Sequence, residues 1–423
     1  MLNKITKLKL KYKIGIGSVS VILITTLILG AFSERRYINS EVKGNSGIAR
    51  HVEPINYNRG SLDELPVYNK DSGQPFQVDL RSTDVSNLDF SDKKEDLMNA
   101  DFDSKTKWPH SLPKEFNTET IMDYGKDPGL NLNKLHEKGI TGKGVGIAII
   151  DQVLLTDHDE YKDRLKFYEE IHAQDETSMH GAAVASIAVG KNVGVATEAN
   201  LYYIAVEPST LNSNNEMVMD FTYTAKAINR ILEINKTLPN DEKIRVISTS
   251  IGWNPDQKGF KEVDDAVKMA QEQNILVISS FLNRYYPFNF NGLGRNPLSN
   301  PDDVNSYTPG NFWEKRFYDD YQNYEKNINN TLLVPMDSRC TASPTGTSDY
   351  VFYANGGVSW SIPYISALYA LGCQVNPDIT PEMFFKDAIS TGSVVDIEKD
   401  GQKYKLGTIV NPEKLIEQLQ YDL

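Results

Sequence analysis

Three side chains in this 423-residue chain have the types and settings for nucleophilic catalysis. Asp151 closes the apolar run Gly144-Val-Gly-Ile-Ala-Ile-Ile-Asp151. His180 stands before Gly181 at the head of a small-residue run that ends at Gly190. Ser359 follows the glycine turn Gly356-Gly357-Val358 and precedes Trp360-Ser361-Ile362-Pro363. A hydroxyl, an imidazole and a carboxylate supply a nucleophile, a base to take its proton, and an acid that fixes the tautomer of the base. A serine at a glycine turn before a helix presents its hydroxyl beside unpaired first-turn N–H groups, which suit a developing oxyanion. Each residue alone is ordinary, since aspartates often cap turns, histidines often serve structure, and Gly-x-Ser turns are common. It is the combination, in the order Asp, His, Ser, that carries information.

Such groups need a scaffold that brings distant segments together. Continuous apolar runs at 144–151, 201–206, 245–251 and 275–280 predict strands buried on both faces. Helical spacing predicts helices over 221–236 and 263–273 and a buried helix over 363–372. Strands alternating with helices imply an α/β fold with a mostly parallel sheet covered on both faces. Parallel sheets place their sites just past the carboxyl ends of strands, where Asp151 falls. The segment 126–415 is long enough to bury such a core as one domain. Aromatic residues from Phe312 to Tyr324 sit near helical spacing and read as a local helix packed on the body, with a groove wall as the alternative.

The sequence resembles the subtilisin-like serine proteases (subtilases, peptidase family S8). The His180 element follows their His-Gly-Thr-x-Val-Ala pattern except for Ala182 in place of threonine, and the Ser359 element follows Gly-Thr-Ser-Met-Ala-x-Pro at Gly357, Ser359 and Pro363. Gly194–Leu201 is similar to the stretch after the family's histidine helix, and Ser248–Gly252 to its substrate-binding strand. Val277–Asn283 aligns with the strand that ends in the oxyanion asparagine. The resemblance implies a three-layer subtilisin-like fold and a serine-type endopeptidase acting through Asp151, His180 and Ser359 and an acyl-enzyme. It further implies Asn283 in the oxyanion hole, and Ser250 and Gly252 pairing with an extended peptide or protein substrate. The sequence departs from the pattern at Gln152 and Val153 after the aspartate, at Phe281 and Leu282 before the asparagine, and at Val358 and Trp360 around the serine. The alternatives are a catalytically inactive subtilase fold that binds peptides or a cell-envelope partner, and an esterase using the same residues.

Charge is distributed unevenly. Residues 1–36 carry a net +6 and the remainder −19, for −13 overall. The acidic balance argues against nucleic acid as a partner. The uncharged stretch Ile14–Phe32 follows five lysines and is long enough to span a bilayer. The expected organisation is a cytoplasmic basic segment at 1–13, a transmembrane signal anchor at 14–33, a polar linker, stalk or pro-segment at 34–125, and a peptidase domain at 126–415. That arrangement makes the protein a single-pass membrane protein with its catalytic domain outside the cell; signal cleavage near Ala31-Phe32-Ser33 would secrete it instead. A monomer is expected. No cofactor is obligatory. Structural calcium is a property of the resembling family, but Asp157, Asp159, Glu160, Asp302 and Asp303 have no definite ligand spacing and read as a solvated face. His158 and His172 read as surface residues. Two cysteines, Cys340 and Cys373, cannot form a disulfide scaffold, and their pairing is left open.

Overall fold

The computed structural model describes residues 37–72, 74–211 and 216–421. Its centre is a seven-stranded, mostly parallel sheet. Five parallel strands run in the spatial order Leu165–Ala173, Asn200–Val206, Gly146–Asp151, Ile244–Thr249 and Leu276–Ile278. Beyond Leu165–Ala173, the short strands Ile38–Ser40 (antiparallel) and Gly47–Ile48 (parallel) complete the edge.

Alternation along the strands builds two cores. Ile147 and Ile149 face one layer, while Ala148 and Ile150 face the other. Leu201, Tyr203 and Ala205 likewise join the first core, and Tyr202, Ile204 and Val206 the second. The first core holds the helices Met179–Val189 and Val358–Val375, which pack against one another. The second holds Thr222–Thr237 and Phe260–Gln271. The period of two along a strand therefore points Asp151 to the same face as the helices that carry His180 and Ser359 in their first turns.

The observed architecture is an α/β fold with a mixed, mostly parallel sheet and flanking helices, consistent with a subtilase-like core. It corrects the expected fold in one respect. The stretch 14–33 lies outside the described residues, and among the described residues no helix is long and apolar enough to cross a membrane. The longest apolar helix among the described residues, Val358–Val375, has 18 residues and is almost wholly buried inside the body. The described structure supports neither the transmembrane element, nor the membrane as a partner, nor the single-pass location with an outward-facing catalytic domain.

Residues 37–125 also differ from the polar linker that their composition suggested. Val78, Leu80, Val85, Phe90 and Phe102 form a third core with Phe352 and Cys340. The strands Val78–Asp79 and Ala100–Asp103 extend the hairpin Arg339–Ala342/Tyr350–Tyr353 into a four-stranded sheet. Polar contacts tie the segment down further: Arg50 pairs with Glu170 at 2.6 Å, and Arg230, itself paired with Glu169, donates to Asn45 Oδ1 at 3.0 Å. The segment supplies most of this core, and Phe352 and Cys340 of the hairpin close it. Burying each large side chain stabilises by roughly 1.5–3 kcal/mol.

The aromatic region folds as two short helices, Asn311–Asp319 and Tyr321–Lys326, broken at Asp320. Phe317 lies edge to face with Trp313 and Tyr324, whose own rings are tilted to each other, and the cluster packs on the body with Tyr404 closing it. Cys340 and Cys373 are both buried and free.

Candidate active site

Asp151 ends its strand with 5% of its side chain exposed, and His180 lies beside it with 18% exposed. The imidazole Nδ1 and Asp151 Oδ1 are 2.6 Å apart, and the same oxygen accepts the Gln152 N–H at 2.8 Å. Burial pulls the imidazole pKa down, but the Asp151 charge and hydrogen bond outweigh it, with a smaller push from Glu207. The net effect holds His180 above its ordinary value.

Local structure fixes this pair. Ser178 caps the helix Met179–Val189 by accepting the His180 N–H at 3.1 Å. The Ser178 hydroxyl donates to Gln152 Oε1, while Tyr203 donates to the Gln152 carbonyl. Gly181 lets the helix start lie against that carbonyl, since a Cβ there would come within 2.7 Å of both Gln152 O and Tyr203 Oη. Gln152, which departs from the family pattern, thus holds the cap of the histidine helix. Its place directly after Asp151 was visible in the sequence; Tyr203 and Ser178 had no signal there.

Ser359 is the second residue of the helix Val358–Val375 and is buried. Pro363 lies four residues on, so it cannot give the Ser359 carbonyl its helical hydrogen bond. Ser250 Oγ donates to that carbonyl instead, at 3.1 Å. Ser250, expected to line the substrate strand, thereby supports the backbone of the serine turn. Trp360, the next residue, lies edge-on to the His180 ring with centroids 5.5 Å apart and packs against Tyr353 on its other side. Among the described residues no hydrogen bond joins Ser359 to His180. The expected three-residue relay is corrected to an Asp151–His180 hydrogen bond, with Ser359 one residue from a ring that touches the imidazole. Catalytic hydrogen bonds of ligand-free sites are often long and tighten when substrate binds.

Asn283 sits in the single 3₁₀ turn Leu282–Arg284, exposed, and its side chain makes no hydrogen bond among the described residues. Gly252 lies under the Phe281 ring, where a Cβ would come within 2.3 Å of ring carbon Cδ2. The bulky residue before the turn therefore covers the backbone that was expected to meet substrate.

The remaining candidates are occupied by protein groups. Asp157 pairs with His51, Asp159 with Lys162, and Asp302 accepts the Asn131 N–H. Glu160 is buried and accepts from Asn192 and Val193 N–H groups and from Tyr350. Among the described residues no group of three or more His, Cys, Asp or Glu side chains is arranged to hold a metal ion. His158 and His172 are buried rather than on the surface. His158 bridges Asp349 O and the Glu160 N–H, and His172 is stacked between Tyr37 and Tyr223.

The model of the subtilase family, Peptidase_S8, matches residues 142–407. Among solved structures, the chain is similar to the Prenylagaramide maturation protease PagA at 16% identity and a TM-score of 0.46, covering 68% of this chain and 98% of that one. A chain from the subtilase cytotoxin SubAB assembly is similar at 15% identity and a TM-score of 0.46, covering 71% and 97%. No curated protein matches the chain.

Proposed function

Because the chain belongs to the subtilase family, we propose that it is a serine-type endopeptidase with Ser359 as nucleophile, His180 as base and Asp151 as the acid that orients it. Family membership supports a peptidase-like function in general; the assignment of the three roles is the finer reading. The observation that carries it is the 2.6 Å hydrogen bond between Asp151 and the inner nitrogen of His180, made at the carboxyl end of a central strand. That bond leaves Nε2 for the substrate side.

In this reading Ser359 Oγ attacks a peptide carbonyl carbon as its proton passes to His180 Nε2. Asp151 accepts the Nδ1–H throughout and stabilises the imidazolium that forms. The proton then goes to the leaving amine. The first-turn N–H of Ser359 and the Asn283 amide are the donors for the oxyanion, and losing one such donor typically costs roughly 10²–10³ in turnover. Ser250 and Gly252 lie on the segment that would pair with an extended substrate.

The test is covalent labelling with a fluorophosphonate, followed by peptide mapping. Label on Ser359, absent in Ser359→Ala, is the expected result. Folded protein that takes no label, or takes it elsewhere, overturns the assignment. Turnover of casein or a peptide library then separates a peptidase from an esterase or a binding protein.

A further inference from the structure

Asp337 is a buried carboxylate behind the serine turn, and the roles given to Ser359 and His180 do not use it. Its Oδ1 accepts the Gly356 N–H at 2.7 Å, and its Oδ2 accepts the Asn311 N–H at 2.7 Å. Gly356 lies three residues before Ser359. The chain there runs so close to the Asp337 loop that a Cβ on Gly356 would come within 2.5 Å of Met336 O. Gly357, which caps the serine helix, has no side chain to accept its free N–H groups. The turn thus has one side-chain anchor from outside its helix on the approach side, Asp337, and another past the serine, Ser250.

We propose that Asp337 is a positioning residue for Ser359: its carboxylate clamps the Gly356 end of the serine turn to the start of the helix Asn311–Asp319. The proposal rests on the reading of Ser359 as the nucleophile. The clamp also makes the turn sensitive to pH. Glu314 faces Asp337 from the helix of Asn311, and Asp101 and Tyr68 face it from the N-terminal segment. Arg339 lies two residues on and Arg295 ends the neighbouring strand Asn289–Arg295, but both donate to backbone carbonyls, and no ion pair to Asp337 forms among the described residues. Burial pushes the Asp337 carboxyl up to about 7; the Asn311 and Gly356 N–H groups oppose the shift, and Glu314 adds to it. Below that pH the carboxyl is neutral. Its bonds then lose the charge assistance that makes them roughly twice as strong as neutral ones.

Since His180 must also be unprotonated to act as a base, the acid limb of the wild-type labelling rate is expected to fall with two protons. Asp337→Asn removes one ionisation and a good acceptor. It is expected to lower the fluorophosphonate labelling rate about 10–100-fold at pH 8, the scale of a small misplacement, and to leave a one-proton limb. An Asp337→Asn protein with the wild-type rate and slope overturns the proposal. Should that variant fail to fold, Asn311→Pro serves. Gly310 at φ −62°, ψ 147° suits a following proline, and the first helical position tolerates one. This change deletes the N–H that favours the charged form, along with the Asn311 side chain that bonds Tyr68, and leaves the carboxyl in place, so the acid limb should move to higher pH; an unmoved limb overturns the clamp. Wild-type protein that labels at no pH overturns the nucleophile reading and this proposal together. Normal labelling with insensitive variants overturns this one alone.

Discussion

The two halves of the candidate site are built differently. Asp151 and His180 are set by adjacent elements of one face: a strand end, a capped helix start, and a Gln152–Ser178–Tyr203 network between them. Ser359 and Asn283 have no such shared network and lean on single contacts from outside their own turns, with Ser250 on the serine carbonyl, Asp337 behind the turn and Phe281 over Gly252. The departures from the family pattern have opposite consequences in the two halves. Gln152 adds a hydrogen-bonded brace to the acid–base half. Phe281 and Trp360 add bulk to the nucleophile half, where a displacement of ~1 Å costs on the order of 10²-fold. In the proposed reading, variation here braces the Asp151–His180 pair and crowds the Ser359 side of the site.

The largest expected effect lies in the acid–base half. Asp151→Asn keeps the shape but turns an amide toward His180 Nδ1, favouring the wrong tautomer. The loss in labelling rate or peptide turnover should be about 10⁴-fold. It should also shift the pH profile in a defined direction. Burial lowers the His180 pKa and the Asp151 charge and hydrogen bond raise it. With the charge gone, burial is unopposed except by Glu207, so the residual activity should persist to lower pH than in the wild type. A variant with near-wild-type rate and an unmoved acid limb would break the distinction between the halves.

In the nucleophile half, Phe281→Ala is the more informative change. It uncovers the Gly252 backbone and makes the extended segment available for pairing. The KM for a peptide substrate should fall about tenfold, a change of ~1.4 kcal/mol, while kcat changes less. A fall in kcat with KM unchanged would instead mean that the ring supports the Asn283 turn.

These differences also explain what was legible in the sequence. The strand Gly146–Asp151 and the helices Thr222–Thr237 and Phe260–Gln271 follow from local apolar periodicity, and the Asp, His and Ser elements from short contiguous motifs. The N-terminal segment read as a linker or stalk with one or two short structured pieces and not as a packed unit, because its core residues Val78, Leu80 and Phe102 are completed by Phe352 and Cys340, some 250 residues away. His158 and His172 looked superficial for the same reason, since Asp349 and Tyr37 bury them from remote positions. Ser250 and Asp337 lie outside the motif that contains the serine, and only the fold brings them to it.

Ser250 provides the smallest effect. Pro363 deprives the Ser359 carbonyl of its helical N–H, and Ser250 Oγ replaces it at 3.1 Å. Ser250→Ala therefore leaves a buried acceptor without a partner and should destabilise the protein by ~1–3 kcal/mol. If the hydroxyl serves only substrate, the same change should alter KM and leave the melting temperature alone. Pro363→Ala separates the two accounts, because alanine restores an N–H at the fourth residue past Ser359 and the carbonyl regains a partner within the helix. In that background Ser250→Ala should cost markedly less than in the wild type, with a coupling of ~0.5–3 kcal/mol in a double-mutant cycle followed by thermal unfolding. A coupling near zero would assign Ser250 to the groove. A large one would make it the counterpart of Asp337, one holding the turn before the serine and the other the carbonyl of the serine itself.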